Sequence, residues 1–488
     1  MKSYICKNCG YIVETNDISN YVCPRCNSSD NNFDVIEDKL NENEIDAIIG
    51  SVIEDDNLDN TSKIVNENNE EKFVVISEDN NCLYRKNEKC INCGQCKKTC
   101  ENVTNIYYDM KISNKPICIG CGRCIKSCPS SALSIKEDYL EIKKIIEENN
   151  KIVIGVLSPE VIYTIRKEFS IDETEKLENK LVTYLKNMGF DFIFNGKFGN
   201  DLYIMEETNL LIDRINKRDN LPLISNYCPA TSDFISIYHS NLINNLSNNR
   251  NSFEMQAKVI KEYFSKEKGL DHNKFIVTVI TSCLPLKKNI DDNSSIDFVL
   301  TTSELINNIR ENRVKIEALG VRDFDNLLDD GTGSALICST TGGLSESIIR
   351  NMYYVIKNKN LKAEYLVFDK LRNKDKIKRI VVKIGDIDLK IAVISNNVDL
   401  EKFIKSEEYR KYDYIELMNC SGGCITGGGQ FTITEEEGDY IQIKNQLYED
   451  EKKYKRRSSN ENDNLKKVYS NYLKIESNKF ALKTGIED

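Results

Sequence analysis

Five cysteines stand in the C-terminal two-thirds of this chain, and four of them sit where metal chemistry is expected. Cys420 and Cys424 form a CxxxC pair inside ELMNCSGGCITGGGQ, residues 416–430. Glycine at that density lets backbone pack closely around an inorganic group. Cys228 in SNYCPA and Cys283 in ITSCLP raise the thiolates to four, enough for one 4Fe–4S cube. The remaining thirteen of the eighteen cysteines all precede residue 130, and that block supplies ligands for further metal sites. The pattern is that of a wire leading to a buried metal site.

The forward block divides into two modules. YICKNCGY (4–11) and YVCPRCNS (21–28) place Cys6, Cys9, Cys23 and Cys26 as paired CxxC knuckles. Each turn aims backbone N–H groups at sulfur, and four thiolates make a tetrahedral site for iron or zinc. The arrangement resembles the rubredoxin-like domains attached to rubrerythrins, which implies one mononuclear iron; a zinc ribbon has the same spacing. CINCGQCKKTC (90–100) and CIGCGRCIKSCP (118–129) are two copies of CxxCxxCxxxC. That is the two-cluster bacterial ferredoxin pattern, in which the fourth cysteine of each run crosses to the other cluster. Cys90, Cys93, Cys96 and Cys128 then hold one cube, and Cys118, Cys121, Cys124 and Cys100 the other. Glu101 departs from the proline that Pro129 supplies in the second copy. Cys82 lies outside the pattern and reads as a plain thiol. Between the modules, residues 37–72 carry twelve acidic and three basic residues and no proline, the composition of a solvated tether. Its apolar patch IDAIIGSVI (45–53) has the length of a helical turn or two.

The later cysteines need a scaffold. KIVIGVL (151–157), FDFIFN (190–195), KFIVTVITS (274–282), IDFVLTT (296–302), LKIAVISN (389–396) and YIELM (414–418) are apolar, β-branched runs of strand length. Amphipathic stretches at 173–188, 252–266, 302–312 and 343–357 read as helices. Strands alternating with helices predict an α/β domain with parallel-type sheets covered by helices. It is preceded by an α+β two-cluster ferredoxin domain and a small rubredoxin-like metal knuckle. Cys228, Cys283 and Cys420 each fall at the C-terminal end of a predicted strand, where open α/β sheets build sites. GTGSA (331–335) lacks a third glycine and reads as a turn. The expected divisions are 1–36, 37–72, 73–145, 146–445 and a tail, 446–488; a length of 488 residues suits about three folded domains.

Composition narrows the partners. With 67 Lys+Arg against 77 Asp+Glu the net charge is −10, and no basic stripe stands out, which argues against nucleic acid and anionic membrane. No apolar run approaches the ~20 residues of a membrane span, and no leader is evident. Thiols at metal-binding spacing then predict a cytoplasmic protein with metal-bound cysteines. Two histidines, His239 and His272, leave little for histidine-based chemistry.

Residues 150–475 resemble the catalytic domain of iron-only (FeFe) hydrogenases. VIGVLSPEVIYTIRKEF (153–169) resembles the strand and proline turn that open it, and FGNDLYIMEETNLL (198–211) its MEE segment. SNYCP (225–229) stands for the family's TSCCP, TSCLPLKK (281–288) for MPCxxK, and residues 416–430 for ExMxCxxGCxxGGGQ. GSALICSTTGGLSESIIR (333–350) and LYEDEKKYKRRSSNENDNLKKVYSNYL (447–473) are similar to two further segments, the last a small-subunit tail. The resemblance implies an H-cluster: a cube on Cys228, Cys283, Cys420 and Cys424, bridged through Cys424 to a diiron unit with CO, cyanide and a dithiolate. Met418, the Pro159 turn and glycines 427–429 are implied as its wall, while Cys338 matches no ligand position. Implied partners are dihydrogen, protons, a ferredoxin, rubredoxin or similar carrier, and maturation proteins for the diiron unit.

The departures concern protons. The family's route begins at a cysteine where this chain has Tyr227, and a phenol, with a reference pKa of about 10 against about 8.5 for a thiol, relays protons poorly at neutral pH. Glu207 and Ser247 align with later members of the route, but a second glutamate is replaced by Leu210. The lysine of the second motif aligns with Leu286, and a one-residue bulge is needed to bring Lys287 to a cyanide. Thr281 replaces a methionine, and Glu160 follows Pro159 where a small residue is common, setting a new carboxylate beside the site. Three functions fit: an enzyme interconverting protons, electrons and dihydrogen, which the ferredoxin and rubredoxin-like modules favour; a dihydrogen or redox sensor; and an iron–sulfur assembly factor of the Narf-like type.

Overall fold

The computed structural model describes residues 2–6, 12–22, 29–36, 72–78, 80–106, 118–291, 293–328, 331–435 and 437–484. The chain divides into two compact units, residues 1–71 and 72–488. In the first, β1 (Lys2–Cys6) is the centre of an antiparallel sheet between β2 (Ile12–Thr15) and β3 (Phe33–Ile36). Cys6 ends β1; Cys9, Cys23, Cys26 and the tether 37–71 lie outside the described residues.

In the second unit, β4 (Leu83–Arg85) and β5 (Leu133–Ile135) form a small antiparallel pair beside the duplicated cysteine runs. The main body holds two four-stranded sheets. The first is wholly parallel, in the order β10 (Phe298–Thr301), β9 (Phe275–Thr281), β6 (Ile152–Leu157), β7 (Phe192–Asn195). The second runs β11 (Ile377–Ile384), β12 (Ile387–Ile394), β13 (Tyr414–Leu417), β8 (Leu223–Ile224), antiparallel at β11/β12 and parallel elsewhere. Helices on both faces explain why β6 and β9 are near-continuous apolar runs: neither side meets water.

Alternation along the strands sorts side chains into three cores. Ile154, Val156, Phe194 and Val277 share one core with Ile391, Val393 and Tyr414, so the two sheets face a common interior. The opposite side of the first sheet, with Leu157 and Ile280, is covered by the helices Pro159–Glu168 and Leu177–Met188. The opposite side of the second, with Ala392, Ile394, Ile415 and Leu417, packs against Leu83, Ile106, Ile119 and Leu133 of the cysteine-rich region. That region is thereby an integral layer of the second unit.

One buried charge network holds the C-terminal segment. Arg350, on the helix Gly343–Lys357, bonds Glu346 at 2.5 Å and Glu451 at 2.9 Å, all three fully buried. Arg457 bonds Glu451 at 2.6 Å and Arg372 bonds Glu346 at 2.5 Å. Removing one partner strands buried charge. Arg350→Met is expected to cost about 3–5 kcal/mol, read as a lower chemical-denaturation midpoint. Lys362→Ala, which breaks an exposed pair with Glu364 at 4.0 Å, is expected to leave the midpoint in place.

Candidate metal centre

Both sheets deliver cysteines from their C-terminal strand ends. Cys283 follows β9, Cys228 follows β8, and Cys420 and Cys424 follow β13. Each is fixed by local geometry. Cys228 caps the helix Pro229–Tyr238, and its carbonyl accepts the Thr231 and Ser232 N–H groups, both at 3.1 Å. The Cys283 N–H donates to Thr281 Oγ1 at 3.1 Å. Gly423 reaches φ +90° ahead of Cys424, and a β-carbon there would lie 2.4 Å from the Ser339 carbonyl oxygen. Only glycine fits that backbone.

The four cysteines line one cavity, walled also by Glu160, Tyr227, Asn251, Phe253, Met418 and Asn419. Among the described residues no three His, Cys, Asp or Glu side chains converge on a single metal ion. A cube offers a separate iron to each thiolate, so its ligands need not converge. One polar group in the wall has an unmet demand that suits a polar inorganic group. The carboxamide of Asn419 is buried with neither its oxygen nor its nitrogen hydrogen-bonded. Burial also pushes the thiols of Cys283 and Cys424 well up and that of Cys420 to about 12, so without a compensating positive centre they stay neutral.

The duplicated runs interleave. Cys100 acts electrostatically on Cys121 and Cys124, and Cys128 on Cys96, although Cys124 also feels Cys96. N–H···S contacts reach Cys96 from Val74 (3.4 Å), Cys118 from Gly120 (3.3 Å) and Cys128 from Ala132 (3.3 Å). Cys90 is partly exposed and Cys93 exposed. Cys82 is buried and donates weakly to the Leu284 carbonyl at 3.5 Å.

The other expected site residues separate into those at the cavity and those away from it. Glu160 is in the wall; its carboxylate accepts Thr281 Oγ1 at 2.7 Å, the Ser282 N–H at 3.3 Å and the Ser158 hydroxyl. Tyr227 is also in the wall, its hydroxyl donating to Asn200 Oδ1 at 3.0 Å and its ring edge-on to Tyr203. Burial and the neighbouring Cys424, Cys338 and Glu160 hold its phenol well above the usual range. Glu207 lies deeper, accepting Ser247 Oγ at 2.5 Å and Asn249 Nδ2 at 2.7 Å, and burial raises its pKa. Lys287 is not brought to the cavity: its ammonium donates to the Lys136 carbonyl at 2.7 Å and pairs with Asp138 and Glu304, both at 3.2 Å. Asn200, Asn251 and Asn419 carry no chemical signature of their own and do not stand out in the sequence, although Asn200 and Asn419 lie inside the FGNDLYIMEETNLL and ELMNCSGGCITGGGQ motifs.

Residues 151–428 match the family described as iron only hydrogenase large subunit, C-terminal domain, and residues 114–134 match a 4Fe-4S binding domain. Iron hydrogenase 1 of Clostridium pasteurianum is 31% identical over 432 residues, 83% of this chain and 75% of that protein. Cytosolic iron-sulfur assembly component 3 of Mus musculus is 22% identical, covering 65% of this chain and 72% of its own. A solved structure of apo [FeFe]-hydrogenase HydA1 from Chlamydomonas reinhardtii superposes with a TM-score of 0.61 at 23% identity, over 71% of this chain and 98% of that one, and shows a shared fold.

A methyl at Gly427 would sit 2.2 Å from the Ser282 carbonyl oxygen, against open space at Gly438. Gly427→Ala is expected to lower the iron and acid-labile sulfide of reconstituted protein by one cube's share, while Gly438→Ala leaves both unchanged.

Proposed function

This chain belongs to the iron-only hydrogenase family, and on that premise we propose that it interconverts protons, electrons and dihydrogen at a cube held by Cys228, Cys283, Cys420 and Cys424. The observation that carries the proposal is the meeting of four strand-end thiols around one cavity with an unsatisfied amide in its wall. A diiron unit bearing CO, cyanide and a dithiolate, joined through Cys424, would supply the open iron position where dihydrogen is made or split. Phe253 and Met418 keep the neighbouring wall apolar. Two ferredoxin cubes, on Cys90/Cys93/Cys96/Cys128 and Cys118/Cys121/Cys124/Cys100, feed it electrons. The knuckles of Cys6, Cys9, Cys23 and Cys26 hold one further iron or zinc. An external ferredoxin- or rubredoxin-type carrier, maturation proteins for the diiron unit and a cytoplasmic setting complete the proposal. No helix among the described residues is long and apolar enough to cross a membrane.

The proton path is this chain's own. Tyr227 gives its proton to a hydrogen bond with Asn200, and its raised pKa makes release costly. Glu207 and Ser247 remain paired, yet Leu210 interrupts the relay beyond them. Glu160 is the carboxylate that reaches the cavity, and its three neutral donors orient it without neutralising it, which suits general acid–base work. Lys287, committed to Asp138 and Glu304, takes no part. A second function, sensing with little turnover, is favoured by the interruption at Tyr227 and Leu210; the assembly-factor role draws on relatives at 21–23% identity.

Anaerobically matured protein is expected to show CO and cyanide infrared bands. Glu160→Gln is expected to retain those bands and lose about 10²–10⁴-fold in turnover, with Tyr227→Phe close to wild type. Intact bands with no turnover in either direction would leave sensing as the function.

A further inference from the structure

One buried guanidinium lies between the two groups of cysteines. Arg123 opens the short helix Arg123–Lys126, within CGRC between Cys121 and Cys124, and its side chain is 11% exposed. Its NH1 pairs with Glu435 Oε2 at 2.6 Å, and its NH2 donates to the carbonyl oxygen of Asn419 at 2.6 Å. Asn419 immediately precedes Cys420 in the cavity wall. A single side chain therefore ties the second ferredoxin run to the loop that carries two cavity ligands.

The two loops are also in direct backbone contact here. A β-carbon on Gly428 would stand 2.1 Å from the Cys121 carbonyl oxygen, and one on Gly122 would stand 3.0 Å from the Gly428 carbonyl oxygen. Both Cys121 and Cys420 lie within reach of the Arg123 charge. Lys126, three residues on, is a second cation near Cys420 and Glu435. Glu435 is 29% exposed and is the counter-charge that contacts the guanidinium directly.

Reducing an iron–sulfur cluster adds negative charge, and a nearby fixed cation in a water-poor interior stabilises the reduced form, a main protein lever on potential. We propose that Arg123 is a positioning residue that raises the reduction potentials of both centres it lies between. These are the cube of Cys100, Cys118, Cys121 and Cys124 and the cube of Cys228, Cys283, Cys420 and Cys424, and Glu435 moderates the effect. The proposal rests on the functional reading above, which assigns both cubes. Arg123 touches no reacting atom; it acts through charge and through its hold on the Asn419 carbonyl.

The test is a redox titration of the full-length, cluster-loaded chain followed by electron paramagnetic resonance. Arg123→Gln is expected to shift both midpoints to lower potential, Glu435→Gln to shift both to higher potential, and Arg123→Lys to stay nearer wild type than Arg123→Gln. Glu435→Gln keeps the arginine and its bond to Asn419, so it decides the matter if Arg123→Gln fails to retain clusters. Midpoints unmoved by Glu435→Gln, or a shift confined to one cluster, would overturn the inference, because an arginine that merely joins two loops predicts such results. A wild-type chain that lacks the second cube's signal would instead sink the functional reading itself.

Discussion

At Gly427 and Gly428 the peptide backbone touches the peptide backbone of two other segments, with Ser282 on one side and Cys121 on the other. No side chain larger than hydrogen fits between them, and that closeness fixes the rest of the site. The Gly429 N–H reaches the Ser282 carbonyl at 2.9 Å, and its own carbonyl accepts the Ser303 N–H at 2.9 Å. The glycine loop is thereby stitched to the ends of β9 and β10 although it grows from β13 in the other sheet. Cys283 is brought opposite Cys420 and Cys424 because of that stitch. Neither sheet alone presents more than part of the set of four cavity cysteines.

The buried carboxylates around the centre follow a different rule from those that hold the fold. Glu346 and Glu451 meet arginines, and their charges cancel. Glu160 and Glu207 are held by hydroxyls, amides and backbone N–H groups, and Glu416 accepts the N–H groups of Gly342 and Ser345, both at 2.7 Å, at the start of the helix Gly343–Lys357. Neutral donors orient a carboxylate without placing a full positive charge beside it, as a guanidinium does. Burial lifts the pKa of Glu207 and Glu416 accordingly.

Much of the scaffold is legible in the sequence because its strands are buried on both faces. A run such as KIVIGVL leaves no ambiguity between strand and surface. β8 cannot be delimited in the sequence, although a strand is expected before Cys228, because two residues carry no pattern of their own, and β11 is hidden because one side of an edge hairpin meets water and its charged residues mask the strand. The helix Lys197–Lys217 carries a recognisable motif without reading as a helix, since buried Asn200, Asp201, Glu206 and Glu207 break any apolar stripe. The cysteines expected to hold clusters announce themselves by type and spacing. The partners of Lys287 do not, because Asp138 lies far back in the chain and meets it only through the packing of β5, β10 and the loops around them. The contact from Tyr227 to Asn200 is hidden for the same reason.

The order of the ligands along the chain has a consequence for biosynthesis. All eight cysteines of the duplicated runs have been translated by residue 128, whereas the last cysteine of the cavity arrives at residue 424. At about 5–20 residues per second, many seconds separate the two. Under the proposed function, the duplicated runs could acquire iron while the ribosome is still working. The cavity acquires its fourth thiol only when both sheets exist and the glycine loop can close between them. Under the proposed function, loading of that centre would follow the assembly of both sheets, and whatever delivers the cofactor would recognise a folded architecture rather than a nascent peptide.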